Sequence, residues 1–249
     1  MLSPKEIEQI KEQAFVGVPS NFKNICQIKP LTIYEIISMG SYLYDMKLGL
    51  LLLTEVEIAK IIKDKMGIEP KIEEIFPLSY LLQSAERDDM FFLELQNAFS
   101  TFIKEDILLL PKMNAIVVGD PSKKRLITNE NYGDFQDVLR IQNKKKIKEA
   151  PPEDESPIAR KFRLKREARD AAKKKQQQKD GSEQKLVDLL EIAETFGIDY
   201  KNKTLYAFYG LLQRHQMREK WNQDIQMLCA GADSNKLNTK YWGESLKEE

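Results

Sequence analysis

Residues 144–179 set the main limit on how this chain folds. They hold 14 Lys/Arg against 6 Asp/Glu, and beyond Pro152 their apolar residues are Ile158, Phe162 and Leu164, then mainly alanines. A stretch without an apolar stripe has nothing to bury and cannot stabilise itself by packing. Its Lys, Arg, Ala and Gln are good helix formers, so it reads as a solvated helix or a disordered tether. The Ala150-Pro151-Pro152-Glu153-Asp154-Glu155 run marks the end of whatever precedes it. The expectation is a helical domain over 1–146, a basic linker over 147–181 and a small helical domain over 182–249.

The chain's 39 basic and 39 acidic residues cancel, which hides this asymmetry. The part before 144 counts 16 basic against 21 acidic residues, and the part after 179 counts 9 against 12. Two mildly acidic regions therefore flank a basic connector, a feature that bears on partners more than on fold.

The fold class expected is mainly α. Ser3-Pro4-Lys5-Glu6 reads as a helix start, with a Ser cap, a Pro in the first turn and a Glu closing a capping box. The T-x-x-E form of the same signature recurs at Thr32–Glu35 and Thr54–Glu57. Each precedes apolar residues at helical spacing, Ile33, Ile36 and Ile37 in one case and Ile58, Ile61 and Ile62 in the other. Gly67 supplies a stop, and Pro77 begins another helix. Over 90–103, Phe91, Leu95, Phe99 and Phe102 share a face. One stretch breaks the pattern: 115–118 and 126–128 are β-prone runs around Gly119-Asp120-Pro121-Ser122-Lys123, a β-hairpin with a long turn. Thr128 or Asn129 then caps a helix through Tyr132, Phe135, Leu139 and Ile141.

Past the linker, Leu186, Leu189, Leu190 and Ala193 form a short amphipathic helix stopped at Gly197. Thr204 caps a second helix over 205–230, stopped at Gly231. At about 100° per residue, Leu205, Phe208 and Leu212 cluster on one side, while Trp221, Ile225 and Leu228 cluster on nearly the opposite side. Between them, 213–220 is almost entirely polar. Two readings fit. Either the helix kinks or breaks near His215 and both halves pack on one core, or it continues and offers Trp221, Ile225 and Leu228 to a partner as helix-in-groove anchors. Tyr241 and Trp242 pose a similar choice: they fold back onto the C-terminal unit, or they join Trp221 as anchors, since Trp and Tyr are common hot-spot residues.

Chemistry-bearing motifs are sparse. His215 is the single histidine, set in a basic surface stretch, so nucleophilic triads and the usual zinc sites lack their parts. Gly119-Asp120-Pro121-Ser122-Lys123-Lys124-Arg125 superficially resembles a phosphate loop but lacks the second glycine and the G-K-[ST] ending. The acidic pairs Glu73-Glu74 and Asp88-Asp89 and the run 153–155 read as solvated surface, because adjacent carboxylates on a helix do not converge on one metal. The expectation is no enzyme, no cofactor and no metal. The basic linker is a candidate for phosphate attraction, yet only Phe162 is available within it to stack on a base. Cys26 and Cys229 lie far apart without metal-ligand spacing, which fits a reducing compartment, although sequence leaves a single disulfide open. The longest strongly apolar tract, 48–53, falls far short of the roughly 20 residues of a spanning helix. With a charged opening segment in place of a signal peptide, this gives a cytoplasmic expectation without membrane contact.

The organisation resembles that of the tail assembly chaperones of tailed bacteriophages. Three passages carry the resemblance: Ile28-Lys29-Pro30-Leu31-Thr32-Ile33-Tyr34-Glu35; the hairpin running into Ile127-Thr128-Asn129-Glu130-Asn131-Tyr132-Gly133-Asp134-Phe135; and Thr204-Leu205-Tyr206, followed later by Ala230-Gly231-Ala232-Asp233 and Tyr241-Trp242-Gly243. The resemblance implies a non-enzymatic protein of the host cytoplasm that binds the tape-measure protein, keeps it soluble and helps recruit tail-tube subunits. Many such phages also make a longer, frameshifted form joined through a linker, and Lys173-Lys174-Lys175 sits where an A-rich slippery codon run would lie. Two other classes fit the residues: a structural tail or baseplate component of the virion, and a nucleic-acid-binding protein that uses the basic linker.

Overall fold

A computed structural model gives the fold of this chain. It describes residues 2–146 and 185–232, together with the isolated positions 156, 158, 162, 169, 241 and 243. The linker expectation over 147–181 lies outside the described residues, apart from four of those positions. Two of these, Ile158 and Phe162, are exposed.

The protein is mainly α, with two small antiparallel sheets. Helix α1 (Pro4–Val16) opens with the Ser3–Glu6 capping box, each side chain satisfying the other's free amide. A hairpin of β1 (Ser20–Phe22) and β2 (Cys26–Ile28) follows, turning through Lys23 and Asn24, both at positive φ. Helices α2 (Ile33–Met39) and α4 (Glu55–Met66) start at the two Thr–Glu boxes, and α3 (Ser41–Leu51) lies between them. Reciprocal caps are local devices, so a four-residue spacing suffices to place these starts. Pro77 sits in the first turn of α5 (Pro77–Arg87), and Asp88 caps α6 (Asp89–Phe102) by accepting from the amides of Met90 and Phe91.

The expected hairpin at 115–128 is present as β4 (Ala115–Val118) paired with β5 (Leu126–Thr128), in the register Ala115 to Thr128 and Val117 to Leu126. A third strand, β3 (Ile107–Leu110), pairs on the other edge of β4, with Ile107 opposite Val118. As the central strand, β4 is buried at all four positions, whereas edge strand β3 alternates buried and exposed. An isolated hairpin is marginal in water, and here the third strand and contacts with α5 supply the support.

Helix α7 (Asn129–Gln142) runs through the middle of this body, against α1, α5 and β1. Tyr132 and Phe135 join Phe22 and Phe99 in an aromatic cluster with ring centroids 5.7–6.3 Å apart. An amphipathic reading puts the other side of α7 in water, but Gln136, Arg140 and Gln142 are buried too. Arg140 pairs with the Asp137 carboxylate one turn earlier on the same helix at 2.9 Å, and the two glutamines meet backbone groups outside the helix. Gln136 donates to the carbonyls of Leu51 and Leu53, and Gln142 to that of Ile28.

The division of the chain differs from the expected one. The C-terminal segment from Tyr200 belongs to the same compact body as 1–146, and the second unit is 147–199. Residues 182–249 are therefore not one domain. The cause is a set of main-chain bonds: Ile33 and Tyr34 donate to the carbonyls of Lys203 and Lys201, and Leu205 donates to that of Leu31. The first amides of a helix have no intrahelical acceptor, and these bonds satisfy them for α2 and for the long C-terminal helix together. In the second unit, α8 (Leu186–Thr195) buries Leu189 and Ala193 and is followed by Gly197 in the left-handed conformation.

Candidate partner-binding surface

Helix α9 (Leu205–Cys229) is one unbroken helix of 25 residues, about 37 Å long at 1.5 Å per residue. The break near His215 does not occur. Thr204 caps it by accepting from the amide of Ala207, and Gly231 follows its end at positive φ. Its inner half buries Leu205, Ala207, Phe208 and Leu212, and α9 lies against α1 and α7. Tyr200 meets Phe208 edge-on at 6.1 Å, and the Lys144 ammonium lies 4.4 Å from the centre of the Tyr206 ring. Burial pushes the Tyr209 phenol above its ordinary value, with the Asp45 carboxylate adding to the effect.

Beyond Leu212 the character of the helix changes. Gln213, Gln216, Arg218 and Lys220 are exposed. His215, which sequence placed on an exposed surface, has a side chain only 15% exposed; its Nε2 lies 3.9 Å from Glu219 and its Nδ1 3.3 Å from Arg218. Arg218 also lies 3.8 Å from Glu219. The i,i+3 and i,i+4 contacts of His215 are of the spacing that supports a helix turn from its own surface. Next come Trp221, Ile225 and Leu228, all half-buried and on the side opposite the inner cluster. Trp221 meets the Tyr241 ring edge-on, with centroids 5.9 Å apart and planes at 78°. The structure thus brings together Trp221 and Tyr241, and aligns Ile225 and Leu228 with Trp221 along one helix face. Trp242 lies outside the described residues. Asp224, buried on the same stretch, was missed from sequence because a charged residue beside an apolar triplet reads as solvent-facing.

The remaining candidates are absorbed by local structure. In the Gly119 loop, the amides a phosphate would need are already bonded: Gly119 to the Asp106 carbonyl, Ser122 to the Asp120 carboxylate, Lys123 to the Asp120 carbonyl and Lys124 to that of Pro121. The Ser122 bonds hold the Asp120 carboxyl below its ordinary value. Asp88 is a cap, and Glu74 pairs with Lys71; residues 153–155 lie outside the described residues. Cys26 and Cys229 are both free; burial raises the Cys26 thiol to about 12, and Cys229 is exposed. Among the described residues no cluster of His, Cys, Asp and Glu is placed to hold a metal, and no helix is long and apolar enough to cross a membrane. A cavity of about 40 Å³ lined by Glu6, Ile10, Phe22, Lys23 and Val138 has room for a few water molecules.

No protein-family model, curated protein or solved structure matches the chain.

Proposed function

We propose that this protein is a non-enzymatic assembly chaperone or adaptor that binds helical segments of other proteins through the outer half of α9. One observation carries this reading. Trp221 lies 16 residues, about 24 Å of helix, beyond Leu205, and its face is turned away from the residues that anchor α9 in the body. A helix rigidly held at one end and apolar on the opposite side at the other is suited to helix-in-groove or helix-pair recognition, in which anchors at i, i+4 and i+7 carry the contact. Trp221, Ile225 and Leu228 have that spacing.

The resemblance to phage tail assembly chaperones supplies the partner class: a long, coiled-coil-rich tape-measure protein, with tail-tube subunits recruited to it in the host cytoplasm. Co-expression with the tape-measure protein of the same genome tests this. Co-purification and improved solubility of that protein, both lost with Trp221→Ala while the chain stays folded, support the reading. Stoichiometric presence of the chain in purified particles would instead make it a structural tail or baseplate component.

A further inference from the structure

We infer that Tyr241, from the chain's own C-terminal segment, occupies the Trp221 anchor position of α9, so that a partner helix must displace its ring to bind. This rests on the docking role proposed for that face and adds its regulation. The covering residue is Tyr241, whose ring stands edge-on against Trp221 at 5.9 Å. Edge-to-face packing at 4.5–7 Å is a favoured aromatic arrangement, and it is the kind of anchor a partner would offer. Tyr241 is nonetheless 51% exposed, so the contact leaves much of its ring in water.

A Cβ on Gly243 would lie 2.4 Å from Cε1 of Tyr241, closer than any real contact, so a side chain at 243 would displace that ring. Between the end of the helix and Tyr241, residues 233–240 carry a single large apolar side chain, Leu237. The tail therefore concentrates its aromatic surface at Tyr241 and Trp242. A segment joined to its site by so short a connection acts at an effective concentration in the millimolar range. Weak intrinsic affinity is then enough to keep the face covered, while a partner with several anchors displaces it.

The chain's two tryptophans make a direct test possible. In a full-length Trp242→Phe chain, Trp221 is the sole tryptophan, and acrylamide quenching reports its accessibility. Adding Tyr241→Ala is expected to raise the quenching constant about twofold. Gly243→Ala, which displaces the ring without removing it, is expected to act in the same direction. A synthetic peptide of residues 233–249, carrying Phe at 242 and supplied at about 1 mM, should restore protection to the Tyr241→Ala chain. Equal quenching in all three chains, or no response to the peptide, would overturn the inference. Circular dichroism of each variant confirms that α9 remains formed, and a variant with lost helix is replaced by Tyr241→Ser. The two proposals fail separately. If tape-measure capture needs Trp221 but quenching ignores the tail, the docking face stands and self-covering falls. If the tail protects Trp221 but capture ignores Trp221, the docking role falls.

Discussion

The hydroxyl of Thr204 donates to the main-chain carbonyl of Ala14, 190 residues earlier in the chain. The same oxygen accepts from the amide of Ala207. One buried side chain thus closes two helix ends, satisfying a carbonyl in the last turn of α1 and an amide in the first turn of α9. The Cγ2 of Thr204 also sits 3.6 Å from where a side chain on Gly17 would begin, so the two ends are closely packed. This junction attaches the inner half of α9 to the body and so fixes where its outer half is presented.

Replacing that hydroxyl should therefore cost more than an ordinary cap. Thr204→Val keeps the shape but removes the donor and the acceptor. The lost cap is worth about 1 kcal/mol and the orphaned buried carbonyl about 1–2 kcal/mol more, giving a loss of about 2–3 kcal/mol in urea denaturation. Thr204→Ser retains both bonds and is expected to lose less than about 1 kcal/mol. Equal losses for the two variants would show that packing, not the hydroxyl, holds the junction.

The buried polar face of α7 gives a second test. The Tyr132 hydroxyl and Gln136 Nε2 both donate to the carbonyl of Leu51, each at 2.9 Å, and Gln136 also reaches the carbonyl of Leu53 at 3.0 Å. These carbonyls lie at the end of α3, where intrahelical donors run out. Tyr132→Phe and Gln136→Leu should each cost about 1–2 kcal/mol. Each single variant leaves Leu51 one donor, whereas the double variant leaves it neither, so its loss should exceed the sum by about 0.5 kcal/mol or more. Strict additivity would contradict a shared acceptor.

Acid stability should depend on Glu35. Burial alone would raise its carboxyl, but the Lys29 ammonium and the amide and hydroxyl of Thr32 outweigh that and hold it below its ordinary value of 4.5. A depressed carboxylate contributes stability that is present above its unfolded value and is lost as pH falls through the lower folded one. Glu35→Gln keeps the capping geometry but not the charge. The variant should be less stable than the native chain at pH 7, and the gap should close as the pH is lowered below about 4. Denaturation midpoints measured from pH 7 to pH 3 decide this; a gap independent of pH would assign the effect to geometry.

What the sequence revealed depended on how far apart the interacting residues lie. The boxes at Ser3, Thr32 and Thr54 span four residues, and the glycine stops act on one helix end, so those helices and both ends of α9 were legible. Strand β3 was not: Ile107-Leu108-Leu109-Leu110 is a continuous apolar run that periodicity cannot assign, and only its pairing with β4 makes it a strand. The β1–β2 hairpin turns on Lys23 and Asn24 in place of the usual Asn-Gly, so the turn signal was missing. The attachment of α9 to the first 146 residues was hidden because its bonds join Thr204 to Ala14 and Leu205 to Leu31. Of the candidate surface, the opposition of Trp221, Ile225 and Leu228 to Leu205, Phe208 and Leu212 followed from helical geometry. The contact of Trp221 with Tyr241 joins residues 20 positions apart, which no local pattern encodes.

The Gly119 loop provides the last test, because a hairpin turn and an anion cradle respond differently. Gly119 adopts φ +64°, and a Cβ there would lie 2.1 Å from a guanidinium nitrogen of Arg125. Arg125 is 3.4 Å from Glu105, whose other oxygen accepts from the amide of Gln27 in β2, so the loop is linked to the first hairpin. Gly119→Ala should cost about 2–3 kcal/mol, of which about 1–2 is backbone strain and the rest displacement of Arg125. In an Arg125→Ala background the same change should cost only the strain, because the obstructing side chain is gone. Inorganic phosphate at 10 mM (about a hundred times a typical 0.1 mM dissociation constant) would stabilise a true phosphate cradle by about 2.7 kcal/mol. The amides of Gly119, Ser122, Lys123 and Lys124 are already bonded, so the expected shift in melting temperature is none beyond that produced by the same concentration of sulfate.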